Sequence, residues 1–322
     1  MIEVVTIGIA VLDEIFAIPG SITPGEKHRA GAIRTVVGGN ATNAALAIAR
    51  LGGQARLIAR LGDDATGDTI RHRIDALGID TSLSKVVPGC ASSRSAIVIE
   101  GNGDRTIFNY IDPALPDIPD WLPADLPAGT RAVLGDTRWE AGTRHVFTLA
   151  RARGIPAVFD GDRMPEDRGL IDLATHVAFS AQGLAEMTGS PDLAEGLRQL
   201  ARVHRSFLAV TDGANGVFAL MDGDIRHFPA FAVPAVDTLG AGDVWHGAFA
   251  LALAEGRDEA KAILLANATA ALKCTRPGGS AGTPDRREVE AFLALHGHDL
   301  ERVTSRSRSR YPLPRRGRFH PR

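Results

Sequence analysis

Seven residues, Asp237-Thr238-Leu239-Gly240-Ala241-Gly242-Asp243, bring together two carboxylates and two glycines just before an apolar stretch. Glycines at 240 and 242 let backbone N–H groups turn toward one point. A helix starting near Val244 adds its own unpaired donors and the positive end of its dipole. Such a loop is an anion hole suited to phosphate. Asp243 stands at its mouth, where a carboxylate can take a proton from an alcohol. The same string also suits a plain glycine turn with Asp243 as a helix N-cap. A second string, Gly38-Gly39-Asn40-Ala41-Thr42-Asn43, again leads into a helical pattern. Glycine lets a ligand approach the backbone, and asparagine offers both donors and acceptors, a combination suited to a polyol. Taken alone it is equally an Asn-rich turn and cap.

Other chemistries leave no trace. There is no G-x-x-x-x-G-K-[ST] loop and no G-x-G-x-x-G between the first strand and first helix, which counts against P-loop and dinucleotide-binding enzymes. No Cys/His cluster suggests zinc. His246, three residues after Asp243, is read as a packed helix histidine. Cys90 and Cys274 match no metal or redox spacing and are read as neutral thiols of a cytoplasmic protein.

The 322 residues carry a net charge of −2, with 44% hydrophobic residues and 35 glycines. This suits a large globular core and neither a nucleic-acid nor a membrane-surface protein. The balance is uneven. Residues 301–322 hold eight Arg and one Glu, a charge of +7, leaving −9 on the first 300. Their mix of Ser, Pro and Arg without periodicity reads as a basic, disordered tail rather than an arm for nucleic acid. The N-terminal MIEVVTIGIAVLDEIF reads as a first strand, not a signal peptide, because no basic segment precedes it and Asp13 and Glu14 interrupt it. No apolar run reaches the roughly 18 residues of a membrane helix.

These motifs need a scaffold. Short apolar runs at Val4–Ile9, Ala55–Arg60, Ala132–Leu134, Ala157–Phe159, His176–Phe179 and Phe207–Thr211 read as buried strands. Helical patterns at Asn43–Leu51, Asp68–Leu77, Thr143–Arg153, Gly183–Thr188, Asp192–Val203, Val244–Ala254 and Asp258–Cys274 separate many of them. Strand–helix alternation predicts an α/β domain over residues 1–300 with a mostly parallel sheet covered on both faces. Two stretches, about 15–37 and 92–110, alternate like strands without helices between them. Asp112–Pro127, with five prolines, reads as a loop.

Together the two motifs resemble the PfkB, or ribokinase-like, family of carbohydrate kinases over about residues 2–296. GGNATNAALAIARLGG with LGDDATG at 61–67 is similar to the family's N-terminal signature, and DTLGAGDVWHGAFA at 237–250 to its C-terminal one. The resemblance implies a three-layer α/β domain with a small β-sheet lid formed by the two helix-free stretches. It also implies ATP, Mg²⁺, a sugar substrate and a homodimer. Asp243 would be the base, with Gly240, Ala241 and Gly242 as phosphoryl-binding residues. Asp13, Gly39, Asn40 and Asn43 would hold sugar hydroxyls, while Thr211, Gly213 and Asn267 would line the nucleotide site. Asp237 and the backbone at 276–282 match where many relatives bind a monovalent cation such as K⁺. Relatives usually carry N-x-x-E to organise Mg²⁺; here the aligned stretch is Ser180-Ala181-Gln182-Gly183, so Asp160 and Asp162 become the candidates. Within the family, DTRW at 136–139, FTLAR at 147–151, FDGD at 159–162 and ALKCTRPGG at 271–279 are most similar to the sulfofructose kinases. That likeness implies an anionic group at C6 of the sugar, with Lys27, Asn109 and Arg138 forming its pocket. A sulfonate has three acceptor oxygens and stays ionised, so it suits Arg, Lys and amide donors. The alternatives are a ketohexose, ribose or ketogluconate kinase, or a non-catalytic sugar-binding regulator on the same fold.

Overall fold

The first strand, β1 (Glu3–Gly8), is buried at every residue, as befits a strand covered on both faces. Residues 1–300 are described by the structure, a computed structural model; the Arg-rich tail at 301–322 lies outside them. The chain leaves the main sheet at once through β2 (Val11–Ala17) and β3 (Ala32–Gly38). It returns through helix α1 (Asn40–Arg50), β4 (Gln54–Gly62), α2 (Ala65–Ala76) and the short β5 (Lys85–Val87). A second excursion forms β6 (Arg94–Ile99) and β7 (Arg105–Tyr110). Then follow β8 (Thr130–Gly135), α3 (Glu140–Arg153), β9 (Ala157–Gly161), α4 (Gly169–Leu173) and β10 (His176–Ser180). After these come α5 (Ala181–Thr188), α6 (Leu193–Ala201), β11 (Phe207–Thr211), β12 (Val217–Met221) and β13 (Asp224–Phe228). Three helices close the domain: α7 (Ala241–Ala254), α8 (Glu259–Cys274) and α9 (Arg286–Leu295).

The main sheet has nine strands in the order β13-β12-β11-β10-β9-β8-β1-β4-β5. All neighbours are parallel except the β11–β12 and β12–β13 pairs at one edge. One face is covered by α1, α2, α7, α8 and α9, and the other by α3 to α6, so two apolar layers sandwich the sheet. Helix α7 is buried from Val244 to Ala254, the mark of a helix enclosed on all sides. It packs against both α1 and α8.

The two excursions form a separate four-stranded sheet in the order β3-β2-β6-β7. This is the expected lid, but it begins at Val11 rather than near residue 15, so Asp13 lies on a lid strand. Asp13, Ser95 and Asn109 are in register on adjacent strands and share one face. The β12–β13 hairpin, the edge strand β5, the short helix α4 and helix α9 escape the periodicity reading. The β12–β13 hairpin turns at Asp222-Gly223, both with positive φ, a two-residue Asp-Gly signal visible in the sequence. Helix α9 opens with a capping box between Asp285 and Glu288, equally visible as D-x-x-E. The edge strand β5 is only three residues long. Residues 112–127 form a loop, as expected. No described helix is long and apolar enough to cross a membrane.

Candidate active site

Packing of α1 against α7 brings the starts of the two motif helices together. The Asn43 amide donates to the Asp243 carboxylate at 2.7 Å. Gly240, the N-cap of α7, has φ 74°, left-handed backbone that glycine adopts without strain. The Ala241 N–H is bound to the Thr238 carbonyl, so this member of the expected anion hole is not available to a ligand. Among the described residues the N–H groups of Gly240, Gly242 and Asp243 have no partner and are the donors left free at this turn. Burial pushes the Asp243 carboxyl above its ordinary pKa; the Asn43 bond and nearby His246 oppose that shift.

Gly39 caps α1 with φ 98°, and a Cβ there would lie 2.5 Å from the Ile9 carbonyl oxygen. Glycine is therefore required by the close approach of this turn to the strand end. The asparagines that follow are committed in part. Asn40 donates to Asp160 at 3.1 Å, and Asn43 to Asp243, so their amide oxygens are what remains for a ligand. Asp13 reaches toward the same place from the lid. Burial raises its pKa to about 6, opposed by the Ser95 hydroxyl and reinforced by the Asp243 charge. Asn109 donates to Ser95 Oγ at 3.0 Å, so Asp13, Ser95 and Asn109 form one chain across the lid. Lys27 lies exposed in the β2–β3 connection, with no bond among the described residues.

Beneath the hole lies a charged network that residue types alone did not suggest. Asp160 is 1% exposed and faces His246 Nε2 at 3.6 Å. The other side of that nitrogen meets the Ala178 carbonyl at 3.0 Å, while Nδ1 meets the Gly242 carbonyl at 2.8 Å. Both ring nitrogens face acceptors, an environment that favours the doubly protonated ring. Burial disfavours that charge, but Asp160 and the two carbonyls outweigh it and raise the His246 pKa. Asp160 itself is lifted by burial to about 7. His246 is therefore packed, as expected, yet it also ties Gly242 of the anion hole to β9 and β10. Asp136, fully buried, accepts N–H bonds from Ile9, Ala41 and Arg138. It links the ends of β1 and β8 to the first turn of α1.

Arg138 does not stand free. Its guanidinium meets Asp162 at 2.5 Å and the Thr137 hydroxyl at 2.6 Å. Asp162 is thus engaged by a guanidinium, and Asp160 is buried against Asn40 and His246 with its Oδ1 left without a hydrogen bond, so neither stands as an open carboxylate for Mg²⁺. No group of three His, Cys, Asp or Glu that could hold a metal ion occurs among the described residues. In the Ser180–Gly183 stretch the Ser180 hydroxyl caps α5 at Gly183 N–H, and Gln182 donates to Glu186.

Across the sheet, Thr211 ends β11 and Gly213 follows at a turn open to solvent. Asn267 departs from expectation. It is 7% exposed; its oxygen accepts from Trp245 Nε1 at 2.8 Å, and its amide points at the Phe228 and Pro229 carbonyls. It braces α7 against the segment at the end of β13 instead of presenting free groups. Asp237 is likewise saturated: Leu239 N–H donates to Oδ1, and the Gly278 and Gly279 N–H groups donate to Oδ2. Lys273, missed by the sequence reading, donates to its backbone carbonyl at 2.8 Å. The only signal was a lysine in the otherwise apolar run of α8.

Residues 1–286 match the family described as pfkB family carbohydrate kinase. Ribokinase of Bacillus subtilis is 28% identical, over 91% of this chain and all of that protein. Fructokinase of Klebsiella pneumoniae is 30% identical, over 80% of this chain and 91% of its own length. Among solved structures, a putative ribokinase from Agrobacterium tumefaciens is 37% identical, with a TM-score of 0.84 over 92% of this chain and 99% of that one.

Proposed function

From this chain's membership of the pfkB family of carbohydrate kinases, which are ATP-dependent phosphotransferases, we propose that its acceptor is the C1 hydroxyl of 6-deoxy-6-sulfofructose. The observation that carries this reading is the lid chain Asp13–Ser95–Asn109. It spans two strand spacings, roughly 10 Å, with a carboxylate at one end beside Asp243 and, at the other, the Asn109 amide, which donates to Ser95 Oγ and toward the Arg94 carbonyl and must turn from them to meet a ligand. A hexose whose hydroxyls meet Asp13 can extend its C6 group toward Asn109. Lys27 from the first lid segment supplies positive charge, and Arg138 at the end of β8, paired with Asp162, supplies its remaining N–H donors.

In this reading Asp243 takes the proton of the C1 hydroxyl, held in position by Asn43. A raised pKa makes it a stronger acceptor. The N–H groups of Gly240, Gly242 and Asp243 meet the charge that spreads over the transferring phosphoryl oxygens. Asp13 and the oxygens of Asn40 and Asn43 accept hydrogen bonds from sugar hydroxyls beside Gly39. ATP, entering with its Mg²⁺ as substrate, lies along Thr211 and Gly213. The exposed Ile33, Phe108 and Tyr110 sit on the lid face away from Asp13 and support pairing of two copies in a cytoplasmic homodimer.

The test is a panel of fructose, fructose 6-phosphate, ribose, 2-keto-3-deoxygluconate and sulfofructose with ATP and Mg²⁺. Sulfofructose should give the highest kcat/KM by at least about tenfold, the value of one charge-assisted hydrogen bond. A higher value for ribose or fructose would replace it with a generic pentose or hexose kinase.

Two further outcomes follow from the lid. Sugar should slow hydrogen exchange in residues 11–38 and 94–110, because closure over the site excludes water. Unchanged exchange in both segments would dispose of the lid. Asp13 must be ionised to accept from a hydroxyl, and its pKa is raised to about 6. Since the folded value exceeds the ordinary one, protonation begins well above the usual carboxylate range. The sugar KM should therefore rise as pH falls through about 6, and the KM of Asp13→Asn should vary less over the same interval. Parallel profiles for the two proteins would remove Asp13 from the sugar site.

A further inference from the structure

Lys273 is 0% exposed, an unusual state for a lysine. It sits in the last turn of α8, and its ammonium donates to the Asp237 carbonyl at 2.8 Å and lies 3.6 Å from Asp237 Oδ1. Next to it, the Cys274 carbonyl accepts the N–H groups of both Val236 and Asp237. The end of α8 thus grips the segment that runs directly into Gly240 and Asp243. The remaining Asp237 oxygens accept three N–H bonds from Leu239, Gly278 and Gly279.

This arrangement does not fit a monovalent metal ion at Asp237. Such an ion needs several oxygen ligands, and the oxygens here already accept from an ammonium and from backbone donors. An added cation would also meet the lysine charge inside a buried site, where repulsion is poorly screened. We propose that the Lys273 ammonium is a built-in substitute for a monovalent cation, positioning the 237–243 loop so that phosphoryl transfer proceeds without K⁺ or Na⁺. Burial lowers the Lys273 pKa, while the Asp237 charge opposes that change; a buried charge with an anionic partner is consistent with the role. The inference rests on the reading that the 237–243 loop receives the phosphoryl group, but nucleotide binding and melting temperature can test it without turnover.

The full-length protein would be dialysed into tetramethylammonium chloride, then assayed in matched concentrations of tetramethylammonium, Na⁺, K⁺ and NH₄⁺. Sugar phosphorylation, ADP affinity by calorimetry and Tm would be read together. Wild type should vary by less than about twofold in kcat, kcat/KM and affinity across the series, with Tm unmoved. Lys273→Met should bind ADP and turn over at least about tenfold more weakly in tetramethylammonium, with K⁺ or NH₄⁺ recovering much of both losses and raising Tm. Lys273→Gln serves as second variant if methionine prevents folding. A wild-type enzyme activated tenfold or more by K⁺ would overturn the proposal, as would a variant indifferent to both the lost charge and the added ion. If no sugar is phosphorylated, the cation series in ADP affinity and Tm still decides it, separating its failure from that of the kinase reading.

Discussion

Asp243→Asn lowers kcat by about 10²–10⁴-fold, the usual contribution of a positioned general base, while ATP and sugar affinity change little. The substitution is nearly isosteric, and the Asn43 bond at 2.7 Å can be kept by the new amide oxygen. Burial already disfavours the charged carboxylate and raises its pKa, so a neutral amide should leave Tm unchanged or higher. This combination separates a catalytic role from a structural one. A helix N-cap alone would lose stability, typically about 1 kcal/mol when its side chain is removed, and little rate. In the structure the cap of α7 is Gly240, and no side chain caps that helix. Rates and Tm of the purified variant, with sugar and nucleotide binding by calorimetry, would check the result. Retention of more than about a third of wild-type activity would remove Asp243 as the base, since base loss costs far more than that.

What could be read before the structure was whatever depends on short, local strings. Apolar runs such as EVVTIG in β1 and FLAVT in β11 show as buried strands because both their faces are covered. Asn43 and Asp243 are legible as members of two glycine-led helix starts. Their contact is a consequence of α1 packing on α7, and spacing along the chain does not reveal it. The same holds for every charged pair under the site. Asp160 with His246, Asp162 with Arg138, and Asp237 with Lys273 join residues from different elements. Each partner in isolation looks like a turn carboxylate, a packed histidine or a surface cation. Asn267 shows a related limit: the family resemblance places it at the nucleotide site by position, and position along the chain does not show that its groups satisfy Trp245 and two loop carbonyls. The late start of the lid arose because Val11 and Leu12 are buried and continue the apolar run of β1, leaving no break in polarity to mark the crossing.

On the proposed reading, the Arg138–Asp162 pair bears on substrate choice. Arg138 donates three bonds, two to Asp162 and one to Thr137, and a guanidinium has five N–H groups. Two donors remain, on a planar group already oriented by a carboxylate, which is the arrangement that favours two-pronged recognition of a sulfonate. Charge-assisted hydrogen bonds contribute about 1.5–3 kcal/mol each. Arg138→Ala should therefore lower kcat/KM for sulfofructose by about 10–1,000-fold. Activity on neutral fructose should fall much less, because fructose carries no anion to be left unpaired. One complication is built into the pair: removing Arg138 also leaves the Asp162 charge uncompensated beside the site, and that charge would repel any anionic substrate. The double variant Arg138→Ala/Asp162→Asn distinguishes the two effects. If Arg138 acts only as the counter-ion of Asp162, the second substitution restores sulfofructose turnover to near wild type. If Arg138 binds the substrate anion, turnover stays low on sulfofructose while fructose is again little affected. Steady-state kinetics of wild type, both single variants and the double variant on the two sugars would decide. An equal loss on both sugars in Arg138→Ala, repaired by Asp162→Asn, would reduce Arg138 to a local structural role and withdraw it from the C6 pocket.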